Sequence, residues 1–280
     1  MNPLVRLSDG HHIPALGFGV YKVDDAVAER VVTDALAAGY RHIDTATLYG
    51  NEAAVGRAVR GSGISRSEIM VTSKVWNDDQ GYDSTLRAFD ASMQRLGLDT
   101  LDLYLIHWAN PPAGLFVDTW KALIRLQEEG RVRSIGVSNF AEPELREIID
   151  ATGVVPALHQ IELHPFFPQQ EMVQVNESFG IPTEAWAPLA RGGALFEEPV
   201  LQNIAARHNA TPAQVVLAWH RQRGFITIPK SVNADRMREN FASLDVFLGE
   251  AEIEAITGLD RGPAGRTGMD PATMTKYGNN

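Results

Sequence analysis

Three observations predict an α/β protein folded as a (β/α)8 TIM barrel, with an N-terminal β-hairpin and a short C-terminal tail. Short, almost continuously apolar strands alternate with amphipathic helices eight times, the pattern of a parallel sheet covered on its outer face. The chain has 280 residues, enough to close such a ring. The rival, an open doubly wound sheet, would carry a glycine fingerprint after its first strand. Gly17-x-Gly19 and Gly61-x-Gly63 both lack its third glycine, and no Gly-Lys pair exists for a Walker loop. One domain over residues 1–280 follows, without an internal linker.

Composition excludes several function classes. A hydrophobic content of 44% and a charged content of 21% are ordinary for a well-cored soluble protein. The net charge of −10, with no Lys/Arg run, argues against a nucleic-acid partner. With no cysteine, disulfides and thiolate metal sites are out, which fits a reducing cytoplasm. The first twenty residues lack the apolar core of a signal peptide, and no apolar run matches a membrane helix. A cytoplasmic monomer with no membrane partner is the expectation.

Residues 4–14 read as a hairpin turning at Asp9-Gly10. Residues 16–20 follow as a strand whose glycines allow close approach to the backbone. Val27, Val31 and Ala35 recur at helical spacing over 24–38, and Gly39 supplies the stop. Strand 41–44 leads to helix 51–59, and strand 70–74 to helix 82–96, closed by Gly97. Strand 101–107 leads past Pro111-Pro112 to helix 116–129, closed by Gly130. Strand 132–138 then precedes helix 142–151, and strand 157–162 precedes helix 169–179. Strand 182–187 opens a longer loop, 188–198, ahead of helices 199–208 and 212–221. Strand 225–228 completes the ring, with helix 234–244 behind it and a further helix at 250–257. From Gly258 the tail, rich in Gly, Pro and Thr, is expected to lie over the surface.

In such a barrel, function gathers at the C-terminal strand ends. Those ends carry Asp44, Lys74, His107, Ser138-Asn139, Gln160, Trp186 and Lys230. Any one could be a satisfied buried polar group; seven at one end of a ring demand a common cause. Neighbouring strands lie about 4.8 Å apart, so Asp44 and Lys74 can form an ion pair at the mouth. Asp44 would keep the lysine charged. The cation could then lower the pKa of the Tyr49 phenol from about 10, making Tyr49 a proton donor near neutral pH. His107 can orient a carbonyl oxygen. The set is an acid and an electrostatic clamp for a carbonyl becoming an alkoxide. It contains no source of electrons, so a cofactor must supply the hydride. A second constellation, Lys230-Ser231-Val232-Asn233 with Arg236 on the following helix, fits the phosphate site of late barrel loops. Ser138, Asn139 and Gln160 could hold a carboxamide, and Trp186 could stack on a flat ring.

The residues quoted so far resemble the aldo-keto reductases over nearly the whole chain. Gly39-Tyr40-Arg41-His42-Ile43-Asp44-Thr45-Ala46 with Tyr49-Gly50-Asn51-Glu52 is similar to one family signature. Leu101 to Trp108, Gly136-Val137-Ser138-Asn139-Phe140 and Ile228-Pro229-Lys230-Ser231 are similar to others. The resemblance implies an NADPH-dependent carbonyl reductase with a tetrad of Asp44, Tyr49, Lys74 and His107. It further implies nicotinamide contacts from Ser138, Asn139 and Gln160, and stacking by Trp186. By the same resemblance, Lys230, Ser231 and Arg236 meet a 2′-phosphate, Glu239 and Asn240 the adenine, and Leu189, Arg191 and Gly192 the pyrophosphate. Ala185-Trp186-Ala187-Pro188-Leu189-Ala190 is closest in pattern to the short prokaryotic 2,5-diketo-D-gluconate reductase-like members. Two departures stand out: His159 where asparagine is usual, and Met269 where proline is usual.

Val20, Tyr21, Trp76 and Trp108 are expected as pocket walls for a small carbonyl substrate. Trp120 and Trp219, on outer helices, are expected as packing. His159 and His164 lack a third ligand, so no metal is expected. Two other classes compete with a reductase: a metal-dependent barrel hydrolase or isomerase, and a cofactor-binding redox-sensing module with negligible turnover.

Overall fold

The apolar pattern resolves into a ring whose spatial order is its chain order. The structure, a computed structural model, describes residues 1–276. Residues 277–280, the end of the expected domain and tail, lie outside the described residues. The hairpin forms as β1 (Leu4–Arg6) against β2 (His12–Pro14), antiparallel from Leu4↔Pro14 to Arg6↔His12. Eight parallel strands follow: β3 (Phe18–Gly19), β4 (His42–Asp44), β5 (Met70–Val75), β6 (Leu101–Ile106), β7 (Val132–Ser138), β8 (His159–Glu162), β9 (Thr183–Trp186) and β10 (Ile226–Thr227). Leu16 bridges Thr227 in parallel, the Gly17 N–H donates to Thr227 O at 2.7 Å, and the Thr227 N–H donates to Ala15 O at 2.9 Å. The ring therefore closes at a short seam, which is why the first and last strands are shorter than their apolar runs.

Helices α1 (Asp25–Ala37), α2 (Glu52–Gly61), α3 (Tyr82–Leu96), α4 (Phe116–Glu128), α5 (Glu142–Thr152) and α6 (Gln170–Ser178) each return the chain to the next strand. α7 (Pro199–Arg207) and α8 (Pro212–Gln222) share the β9–β10 crossover, and α9 (Ala234–Phe241) and α10 (Glu250–Thr257) follow β10. Their ends obey local chemistry. Asp24 accepts from Ala26 N to cap α1, Thr211 and Gln214 form a capping box on α8, and Gly97 closes α3 in the left-handed region.

Strand alternation decides what looks inward. Tyr104 and Ile106 of β6 face the helices, with the Tyr104 ring 5.1 Å from Phe89. Leu103 and Leu105 face the interior, where Leu7 and Ile13 of the hairpin segment, with Leu158 and Ile226, plug the lower end. Trp120 and Trp219 are fully buried in the outer packing, as expected.

The tail departs from expectation. It does not simply lie over the surface but crosses the upper mouth. The Thr267 N–H and hydroxyl and the Gly268 N–H donate to the buried Glu162 carboxylate. Met274, only 3% exposed, then packs with Trp76, Trp108 and Leu48. Asn77 holds this turn by donating to Lys276 O at 2.8 Å. The tail composition suggested a surface strap because Met274, its anchor at the mouth, stands among small and polar residues.

Candidate active site

The inward positions of β4, β5, β8 and β9 deliver the polar groups to one place. Asp44 ends β4, and Lys74 lies on β5 next to it; both are buried, the lysine completely. The Lys74 ammonium donates to both Asp44 oxygens at 2.7 Å and to Thr45 O at 2.9 Å, so all three of its N–H groups are used. Tyr49 sits on a one-turn 3-10 helix, Thr47–Tyr49, closed by Gly50 in the left-handed region. Asn51 would be an ordinary helix cap for α2, yet its amide donates to Val20 O and Val23 O while its oxygen accepts from Thr45. That residue fixes the loop carrying Tyr49 to the end of β3. The Lys74 Nζ stands 5.2 Å from the Tyr49 ring centre. His107, just past β6, sets its ring 5.6 Å from Tyr49 at 77°. The structure thus brings Asp44, Tyr49, Lys74 and His107 together.

The electrostatics correct one expectation. Burial pushes the Tyr49 phenol well above its ordinary range, and the Asp44 charge adds to this, as negative charge on the Tyr21 phenol or on Glu184 would when they ionise. Lys74 does not reverse the direction because Asp44 already neutralises it. Tyr49 consequently stands as a protonated phenol at neutral pH. His107 is held well below the usual imidazole range by burial, then by the Lys74 charge. It is a neutral hydrogen-bonding group beside the phenol.

Around this set, Asn139 adopts a left-handed backbone with φ 55°. Its amide donates to His107 O and Ser138 Oγ, and its oxygen accepts from the Trp186 indole at 2.8 Å. Trp186 is thereby held as a half-buried flat face, against which Gly268 passes so closely that an added Cβ would lie 2.2 Å from the ring. Gln160 is present but turned inward: its amide nitrogen donates to Asp44 at 3.0 Å and to Glu184 at 2.6 Å. His159, the unusual residue beside it, is structural, with Nδ1 on Asn176 at 2.8 Å and Nε2 accepting from Phe140 N.

The loop after β9 holds the densest run of positive φ among the described residues. Ala187, Ala190 and Arg191 all have positive φ, as do Gly192 and Gly193. Such a run is characteristic of a loop shaped for something other than its own stability, and Leu189, Arg191 and Gly192 belong to it. On the far side, Lys230 and Arg236 are exposed at the start of α9, and among the described residues neither is paired with a carboxylate. Ser231 lies between them, buried, and Val232 is exposed. Asn233 caps α9, its side-chain oxygen accepting from Asp235 N and Arg236 N. Glu239 accepts from the Thr211 hydroxyl, and Asn240 is buried behind the helix. Strained loop, flat indole face and unpaired cations together fit a dinucleotide with an extra phosphate.

Of the residues expected as walls, Trp76 and Trp108 pack together with Met274, the Trp76 ring 5.2 Å from His107, and Tyr21 is exposed with its ring 5.1 Å from Tyr49. Val20 is not a wall: it is fully buried in the barrel–helix core, and its backbone ties β3 to Asp44 O and to Asn51. Sequence reasoning missed Met274, Glu162 and Glu184. The last two end or line inward strand positions, the same signal that marked Gln160 and Trp186.

A sequence profile described as "Aldo/keto reductase family" matches residues 15–261. An aldo-keto reductase of Mycobacterium sp. (strain KMS) is 51% identical over 276 residues, covering 99% of each chain. Methylglyoxal reductase DkgA of Yersinia pestis is 45% identical, covering 97% of each. A crystal structure of a Gox0644 mutant in complex with NADPH superposes with a TM-score of 0.94 at 45% identity, covering 99% of this chain and 100% of that one.

Proposed function

The chain belongs to the aldo/keto reductase family, and from that premise we propose that it reduces small reactive carbonyls, dicarbonyls foremost, with Tyr49 as the general acid. It is an NADP-dependent oxidoreductase acting on carbonyl groups. Methylglyoxal, the compound in the name of the Yersinia pestis relative, is the first substrate to test. When bound, NADPH supplies the hydride that the carbonyl carbon receives. Trp186 would hold its flat ring, Ser138, Asn139 and the carbonyl oxygen of Gln160 its carboxamide, and Lys230, Ser231 and Arg236 its extra phosphate.

The chain's own groups handle the oxygen. Tyr49 gives its hydroxyl proton to the carbonyl oxygen, breaking its O–H bond as the product O–H forms. The phenolate left behind faces the Lys74 ammonium, which Asp44 keeps charged and in place. His107, neutral, steadies the same oxygen by a hydrogen bond. The observation carrying this reading is the buried Asp44–Lys74 pair set directly against the Tyr49 ring. Trp76, Trp108 and Met274 exclude water from the reacting carbonyl. No helix among the described residues is long and apolar enough to cross a membrane. A cytoplasmic monomer, the state expected from the cysteine-free composition, remains part of this proposal.

Steady-state turnover with NADPH on a panel of dicarbonyls, aldehydes and sugars tests the proposal. Saturable reduction of dicarbonyls supports it; negligible turnover across the panel, with NADPH bound, would mark a sensing module instead.

A further inference from the structure

Below the tetrad, the barrel interior holds a carboxyl group that the mechanism above does not use. Glu184 lies on β9, two residues before Trp186, with its side chain completely buried. Its Oε2 accepts from Gln160 Nε2 at 2.6 Å, and that same nitrogen reaches Asp44 Oδ2 at 3.0 Å. Gln160 therefore bridges Glu184 to the acid that neutralises Lys74. The other oxygen, Oε1, has no hydrogen-bond partner among the described residues, and neither has the nearest ring nitrogen, His42 Nδ1, 3.7 Å away. The gap is about half an ångström beyond hydrogen-bond reach. Two orphaned buried polar atoms facing each other are unusual, and one proton satisfies both.

The space for this pair is built in. An added Cβ at Gly17 would come within 2.3 Å of His42 Nδ1, so glycine on that seam strand is what admits the imidazole. The other ring nitrogen, Nε2, sits 3.0 Å from the Thr72 hydroxyl on β5. If Nε2 donates there, Nδ1 is left as an acceptor. The charged and titratable groups facing Glu184 are His42 and Asp44 from β4, Lys74 from β5, and Tyr49 above; Gln160 is its contact on β8. The paired residues of β10 bring only Ile226 and Thr227.

We propose that Glu184 is a protonated positioning residue, donating from Oε1 to His42 Nδ1, and that its ionisation acts through Gln160 and Asp44 to set the alkaline limit of Tyr49 as an acid. Two further facts agree with the geometry. Burial, followed by the Asp44 charge, pushes Glu184 up to about 8, and burial pushes His42 down to about 3, so the proton belongs on the carboxyl. A neutral Glu184 leaves Asp44 as the single anion opposite Lys74. Once Glu184 ionises, a second negative charge enters the same buried network, and the phenol holds its proton more tightly.

The catalytic half of this inference rests on the reductase reading; the protonation half does not. Infrared titration of the ligand-free protein, with glutamate alone carbon-13 labelled, reads the protonation half. A protonated-carboxyl band present at pH 7, fading as pH passes about 8 and absent in Glu184→Gln, supports it; no such band in the wild-type protein overturns it, whether or not the variant folds. The pH profile of kcat for dicarbonyl reduction reads the other half. Wild type should lose roughly three- to tenfold between pH 7 and pH 9.5 by this ionisation, and Glu184→Gln should lack that step. Superimposable normalised profiles overturn the positioning role. A protein with no turnover but the expected infrared band would sink the reductase reading and leave the protonation standing.

Discussion

Replacing Asp44 by asparagine is the sharpest perturbation of the buried ion pair. Lys74 has no solvent exposure and donates to both Asp44 oxygens at 2.7 Å. At that distance, with an effective dielectric near 20, the gross attraction is about 6 kcal/mol, much of it offset by the desolvation of both groups. Asparagine is nearly isosteric, yet it presents an N–H2 to a site already occupied by donors. One oxygen position faces Lys74 alone, and the other faces Lys74 and Gln160. Whichever way the amide turns, donor meets donor. Removing one partner of a buried pair costs about 3–5 kcal/mol, which lowers Tm by roughly 6–15 °C in a chain of this size. Calorimetric melting reads the loss, and a Tm within 1 °C of wild type would refute the claim that Asp44 neutralises Lys74.

Other outcomes follow from the same geometry. Lys230→Ala and Arg236→Ala should each weaken NADPH by about 10- to 100-fold, the worth of a charge-assisted contact. NADH should change by less than about threefold; equal losses in calorimetric titration would remove the 2′-phosphate assignment. His159 is buried neutral and held down to about 4 by burial, against the usual 6.5. The unfolded state therefore takes up its proton first, and stability falls as pH drops from 6.5 towards 4. His159→Asn should flatten that slope by up to about 1.4 kcal/mol per pH unit, measurable by urea unfolding at pH 5 and 6. Met274→Ala should open the mouth between Trp76 and Trp108, raising KM for small dicarbonyls and improving bulky aldehydes relative to them. An unchanged size preference would place Met274 outside the pocket.

Much of the site was legible because strand periodicity is local. Asp44, Lys74, His107, Gln160 and Trp186 could be found as polar residues ending apolar runs, and the barrel then had to bring them together. What sequence could not tell was which atom answers which. Gln160 looked like a free carboxamide ligand, yet Glu184, one strand away, takes its amide nitrogen together with Asp44. Tyr49 looked acidified by Lys74, yet burial and the adjacent Asp44 charge push its phenol the other way. Asn233 and Asn51 show the same limit: each stands beside a helix start in sequence, yet the first caps its helix while the second ties the Tyr49 loop to β3. Met274 escaped because an apolar residue among small and polar ones has no period to betray it. Its position depends on Glu162 holding Thr267 and Gly268, a contact spanning more than a hundred residues.

The central claim is that Tyr49 donates the proton to the carbonyl oxygen, and Tyr49→Phe tests it with the least disturbance. Paired measurements on that variant, kcat/KM for methylglyoxal and Kd for NADPH, separate chemistry from binding. The account predicts a loss of at least about 10²- to 10⁴-fold in kcat/KM, with Kd within about threefold of wild type. Retention of more than a tenth of wild-type kcat/KM in the phenylalanine variant would contradict it.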